Sequence, residues 1–442
     1  MSGAHHHYPT REDFARRLPG KPVPSSLKMA SIGLAVLGTA IFLYGVFTGQ
    51  ARAWQALMFN WTFFASISTA GVAFAAVQRI VTARWSRGVV RIAEGMVAFL
   101  PIAFVLLLLI LFVGKAHIFT WAHETVEVQE KATYLNPTFF WMRGVFLFGA
   151  MMLLMLKFVY NSVRMDVAVM PEYGSKWAAN IRAGMRKGFG EERRELHSQH
   201  SSQGKYGVAV CMAFVIGWCF MAWDYSMTIS LHFQQTMYAW IVFMGAWQTM
   251  LMVLALLCMW WRKHLDSDDL ITIDHFWDLG KLGFAFTAFF GYISFAQYLV
   301  IWYGNMPEET FFYRLRLIGV WKQVTQLIPI LMFIFPFFGL ISKAAKVYLP
   351  TFVLFAVATI AGLWLHRYIE VYPSIYGEVA TLPLGLMEFG VFAGVLGLWG
   401  ISYIAFMDAF PVMRVFMMTS KYRDEVQVPV NARTMEPLPA HE

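Results

Sequence analysis

The sequence predicts an all-α polytopic membrane protein, and three observations predict it: composition, the length of the apolar runs, and the placement of basic residues. Of 442 residues, 58% are hydrophobic and only 14% charged, with a mean hydropathy of +0.53. Soluble globular chains carry about a quarter charged residues. Crossing ~30 Å of hydrocarbon takes roughly 20 apolar residues in a helix. About ten such runs occur, near 28–48, 54–78, 89–114, 139–163, 206–231, 237–262, 276–303, 315–341, 346–368 and 381–410.

Taken in order, the chain opens with a polar tail, residues 1–27, containing "HHHYPTREDFARRLPGKPVPSSLK" up to the edge of the first run. The run behind it is long enough to span, so the segment reads as a tail and not as a cleavable signal. His5 to His7 read as incidental tail residues. Spans 1 to 4 fill 28–163. A hydrophilic insert at 164–205 follows, whose centre "IRAGMRKGFGEERRELHSQHSSQGK" predicts a basic surface helix and then a flexible linker. Spans 5 to 10 fill 206–410, and residues 411–442 form a second tail.

Basic residues orient the bundle. Arg11, Arg16, Arg17, Lys21 and Lys28 lie in the first tail; Arg79, Arg84, Arg87 and Arg91 follow span 2; eight more lie in the 164–205 insert or at its edges. Arg262, Lys263, Lys343, Lys346 and the tail residues Arg414, Lys421, Arg423 and Arg433 complete a set of 25 among 35. All fall in alternate loops, so both termini are expected in the cytoplasm. The loop "HIFTWAHETVEVQEKATYLNP", with Glu127, and the turn "WYGNMPEET" are then outside. This bias accounts for the net charge of +8 without a nucleic-acid partner. Cys211, Cys219 and Cys258 sit in apolar segments. The first two are about 12 Å apart along a helix, too far for a disulfide. No haem-attachment run, iron–sulfur ligand run, nucleotide loop or zinc motif occurs. A haem held between facing histidines is disfavoured, because only His232 and His366 fall inside spans.

Ionisable groups within spans are expensive and mark function or tight pairing. In span 5, Asp224, Thr228, His232 and Gln235 share one face if the helix continues outward. That face is either a proton relay or an interhelical hydrogen-bond stripe; Lys322, Arg367 and His232 are the expected neighbours of Asp224. Asp274, Asp278 and Lys281 open span 7 as a proton intake or as interface anchors. Lys322 and Gln326 share a face of span 8, and His366, Arg367 and Glu370 cluster at the outer end of span 9. The polar groups of spans 5 to 9 thus gather near the two faces, as two half-paths about a dry middle. Asn60, Glu94, His117 and Lys157 are scattered through the front spans. The Gly and Pro breaks, such as Pro307 and Pro373, fall mostly near span ends, which counts against a transporter with helices broken at midplane.

The stretches "FAQYLVIWYGNMPEETFFYRLR" and "LWLHRYIEVYPSI", with the ten-span layout, resemble the NrfD/PsrC-like family of quinone-linked membrane subunits. Within that family the likeness is greatest to the F-type subunits of alternative complex III, a quinol:cytochrome c oxidoreductase. The resemblance implies two four-helix bundles plus flanking helices, and no cofactor bound by this chain. It implies quinol, haem c and iron–sulfur clusters in partners: a sister quinol-binding subunit of the same type, a periplasmic iron–sulfur subunit, multihaem cytochromes c and small membrane subunits. A bacterial inner-membrane location and a role in assembly and proton movement follow from it. Asn305, Pro307, Glu308, Glu309 and Arg314 are then expected to form an outer docking surface.

Overall fold

Among the described residues, ten helices are long and apolar enough to cross a membrane: Ser25–Phe47, Ala51–Ile80, Val90–Ile118, Pro137–Val169, Glu192–Ile229 (regular as far as Tyr225), Thr236–His264, Ile273–Gly304, Trp321–Gly339, Leu349–Tyr376 and Leu386–Ala409. They are called spans 1 to 10. The computed structural model describes residues 10–17, 22–119, 121, 134–171, 174–422 and 425–426. His5 to His7, Lys21, Glu127, Arg423, Arg433 and about half of the two expected tails lie outside the described residues.

Spans 2 to 5 form one four-helix bundle and spans 6 to 9 a second, with spans 1 and 10 paired on the flank. Span 2 is the axle. It packs against spans 1, 3, 4, 5, 6, 9 and 10, and 25 of its 30 residues are buried. The run "ASISTAGVAFAA" explains how, since small side chains let several backbones approach together.

Spans 1 and 10 meet through glycine. A Cβ at Gly38 would lie 2.2 Å from the Gly394 Cα, and one at Gly397 would lie 2.3 Å from the Ala35 nitrogen. Only glycine permits that approach.

Two spans are irregular in their middles. In span 3 a 3-10 turn at Gly95–Phe99 leads into Pro101, and a wide π turn occupies Ile110–Gly114. In span 8 a π turn at Ile330–Ile334 lies between Pro329 and Pro336. Pro336 has no N–H to offer the Met332 carbonyl four residues earlier. The Gln248 amide donates to that carbonyl instead, at 2.7 Å. The expectation that breaks fall mostly near span ends is corrected here, because a π turn is set by side-chain packing as well as by Gly or Pro.

The 164–205 insert also differs from expectation. Span 4 continues to Val169, a short helix occupies Ala179–Arg186, and span 5 begins at Glu192 as an unbroken helix of 34 residues. No flexible linker remains, because the segment finds tertiary partners. Asn161 donates to Ser202 at 2.9 Å, and Arg79 to the His200 carbonyl at 2.6 Å. Arg182 and Arg186 pin the short helix through carbonyls of Ala409, Ser175, Val167 and Met170. The basic loops and ends gather at one end of the bundle, called the basic end below.

Gly38→Ala should lower stability by about 1–3 kcal/mol through overpacking, read as a lower thermal unfolding midpoint in detergent. Gly33→Ala, whose added methyl meets nothing within 4 Å, should be neutral. Equal midpoints for the two would remove the close contact between spans 1 and 10.

Candidate functional site

The middle of the bundle is closed by tryptophan. Trp364 donates to Asn60 Oδ1 at 2.8 Å, Trp218 to Thr69 Oγ1 at 2.8 Å and Trp399 to Ser68 Oγ at 3.0 Å. Each satisfies a polar side chain of span 2 that lipid would leave bare. Polar chemistry is therefore displaced toward the two ends, where buried ionic clusters sit, Arg52 with Glu388 among them.

The first joins the front helices at the end opposite the basic loops. Arg143 of span 4 forms a two-pronged pair with Asp224 of span 5, at 2.7 and 2.6 Å. Tyr134 donates to Asp224 at 2.9 Å and lies under the guanidinium, 3.9 Å from ring centre to Cζ. Burial, with the Asp224 charge second, pushes the Tyr134 phenol up, so it remains a donor. Span 5 stops at Tyr225, one residue past Asp224, and a 3-10 turn covers Met227–Ile229. The expected face is thereby broken: Thr228 turns back onto the Asp224 carbonyl, and His232 is exposed. The partners of Asp224 are Arg143 and Tyr134, and not Lys322, Arg367 or His232.

The second cluster lies at the same end of the rear bundle. Arg367 meets both oxygens of Glu370, at 2.6 and 2.9 Å, and also holds the Val242 carbonyl. His366 Nδ1 is 2.9 Å from Glu370 Oε1 but off the line of a hydrogen bond. Arg316 is buried beneath, donating to the carbonyls of Ile369 and Glu370 and to Ser374. Burial lowers Arg316 to about 10, so it stays charged at neutral pH.

Further polar groups without partners lie in the same rear bundle. The Phe290 ring lies 6.1 Å from that of His366. Ser294 and Gln297 follow Phe290 by one and two turns on the same face of span 7. Ser294 Oγ, both amide atoms of Gln297, Thr325 Oγ1 of span 8 and Gln248 Oε1 of span 6 are buried without hydrogen-bond partners. Gln297 is 1% exposed. Buried polar atoms of this kind need water or a ligand to satisfy them.

The third cluster closes the basic end. Arg91 and Glu94 of span 3 pair at 2.5 Å, Arg91 also meets Asp166 of span 4, and Arg414 meets Glu94. The Phe416 N–H caps Asp166 at 2.7 Å.

No family model matches this chain, and no curated protein is significantly similar to it. The site is therefore read from its geometry.

The remaining predicted residues are dispersed. Asp274 is exposed, and Asp278 and Lys281 pair with each other at 2.6 Å at the basic end of span 7. Lys281 also lies over Trp277, the geometry of an interface anchor. Lys322 and Gln326 share an exposed face of span 8, away from the interior. Asn305, in the left-handed region at φ 45°, ends span 7, and Pro307 starts the helix Pro307–Leu317 with Glu308 and Glu309 in its first turn. Those acids suit a helix N-terminus and so have a local role. Asn305, Pro307, Glu308 and Arg314 are exposed, and Glu309 is half-buried.

Glu94 is not isolated, and Arg143, Tyr134, Arg316 and Gln297 went unnoticed in the sequence. Arg143 carried a readable signal, a cation inside a predicted span. Arg414 looked like an orientation signal because Glu94 lies 320 residues away, and so did Arg91, although its pairing with Glu94 three residues on was readable and only Asp166 is distant.

Arg143→Gln leaves the Asp224 carboxylate buried alone and should cost about 3–5 kcal/mol. Adding Asp224→Asn should recover much of that loss. A double-mutant cycle on unfolding in mixed micelles measures it, and additive losses would show that the two groups are not coupled.

Proposed function

We propose that this chain is a membrane subunit of a respiratory quinol:electron-acceptor oxidoreductase, of the NrfD/PsrC-like kind and nearest the F-type subunit of alternative complex III. The observation that carries the proposal is the His366–Arg367–Glu370 cluster, in a rear bundle that also holds buried polar atoms without hydrogen-bond partners. A carboxylate beside an imidazole, in a bundle with groups that call for water, is an arrangement suited to passing protons. The front bundle supports the same assignment from the other side. Its carboxylate, Asp224, is tied down by Arg143 and Tyr134, which suits a fixed structural lock.

In this reading the chain binds no redox centre. It supports assembly and moves protons coupled to quinol oxidation in a sister subunit. Quinol, haem c and iron–sulfur clusters belong to that subunit, to a periplasmic iron–sulfur protein and to multihaem cytochromes c. The basic end faces the cytoplasm of a bacterial inner membrane. The exposed Asn305–Pro307–Glu308 corner, flanked by the exposed rings of Trp302, Tyr303 and Phe311, is the outer docking surface.

A stand-alone proton- or ion-coupled transporter is the second reading, favoured by the mid-span turn of span 8. Purification from native membranes separates the two. Haem- and iron–sulfur-containing subunits should co-purify, and the chain purifying alone would sink the proposal.

Two substitutions test the roles. Glu370→Gln in the assembled complex should lower the proton-to-electron ratio while leaving most quinol oxidation intact. An unchanged ratio would remove the proton path. Glu308→Gln with Glu309→Gln should weaken retention of the outer subunits most at low salt, the difference shrinking as salt screens the charges; retention equal to the unaltered protein across a salt series would remove the docking role.

A further inference from the structure

We infer that the basic end carries a binding site for a phosphate group, centred on Arg79. The inference is independent of the functional proposal.

A cavity of about 60 Å³ lies between the end of span 2, the start of span 5 and the Arg414–Met417 segment. At ~10–15 Å³ per water-sized centre it holds about four to six such groups, close to the bulk of a tetrahedral phosphate. Arg79, Arg87 and Arg414 line it, with Gln78, Gln199 and the carboxylate of Asp166.

The charges around the cavity are unevenly matched. Arg91 and Arg414 are balanced by Glu94 and Asp166. Arg79 has no such match, and its one hydrogen bond goes to the His200 carbonyl. The Nε atoms of Arg79 and Arg414 are both buried without a partner. Two guanidiniums with unused donors therefore border one small cavity, and an oxyanion is the group that such forked donors recognise best.

Two acceptors complete the lining. Gln78 and Gln199 are each more than nine-tenths buried or at that level, 8% and 9% exposed, and their Oε1 atoms lack donors. A phosphate carrying a hydroxyl would satisfy guanidiniums and amides together. Phosphatidylglycerol has that chemistry in its headgroup; a free phosphate monoanion has it in its own P–OH. A basic pocket at the end of a helical bundle is also where headgroup phosphates lie.

The test uses the purified full-length chain in phosphatidylcholine nanodiscs, with and without phosphatidylglycerol, and separately with inorganic phosphate. The readout is the thermal unfolding midpoint against ligand content. Phosphatidylglycerol or phosphate should raise the midpoint, and Arg79→Gln should raise the half-saturating amount about tenfold, the worth of one charged contact. A response to phosphatidylglycerol alone assigns the site to a lipid headgroup. A response to inorganic phosphate assigns it to the phosphate group itself. Ala83→Trp, which crowds the cavity and keeps Arg79, should weaken the response likewise and serves if Arg79→Gln does not fold. No shift with either ligand, or the same half-saturation in every protein that folds, overturns the inference.

Discussion

Span 2 has almost no side that faces lipid, and that single constraint organises the rest. A helix surrounded by seven others must offer small side chains for close approach, and it must find a partner for every polar group it carries. The Ala, Ser, Thr and Gly residues between Ala65 and Ala76 meet the first demand. Tryptophans from spans 5, 9 and 10 meet the second, each reaching in with one N–H. The two bundles are thus held on a common axle whose mid-span polar groups, Asn60, Ser68 and Thr69, are already satisfied.

With the centre sealed, ionised groups are tolerable only near the ends and only in pairs. Burying a lone charge costs several kcal/mol, and a buried pair returns that cost only when its geometry is good. The Arg143–Asp224 fork and the Arg367–Glu370 fork have such geometry. They differ in what surrounds them. Asp224 has its oxygens filled by Arg143 and Tyr134, whereas Glu370 adjoins a histidine that is close but not hydrogen-bonded, in a bundle that holds unfilled polar atoms. That difference assigns a fixing role to one and a transmitting role to the other.

Much of the architecture was legible because hydrophobic length is a local signal. All ten spans can be found that way, and the cluster at His366, Arg367 and Glu370 follows from spacing on one helix. What spacing does not contain is where a helix stops or which helix lies opposite. Asp224, Thr228 and His232 share a face only while span 5 continues, and it ends at Tyr225. Arg143 meets Asp224 across 81 residues of sequence, a relation no periodicity carries. The mid-span turn of span 8 depends on Gln248, a residue of another helix that takes over the carbonyl freed by Pro336. The Gly38–Gly394 contact is likewise written in two segments that look ordinary apart.

The tail contact at the basic end bears on biogenesis. Arg414 reaches Glu94 across 320 residues, so during synthesis span 3 enters the membrane long before that arginine exists. Glu94 is not left bare in the interval, because Arg91 lies three residues earlier on the same helix and pairs with it. Span 3 therefore inserts with its own counter-ion. The late arrival of Arg414, with the Phe416 amide on Asp166, then fastens together three helices that were delivered separately. A nascent chain released just before Arg414 would carry all ten spans and still lack this clasp.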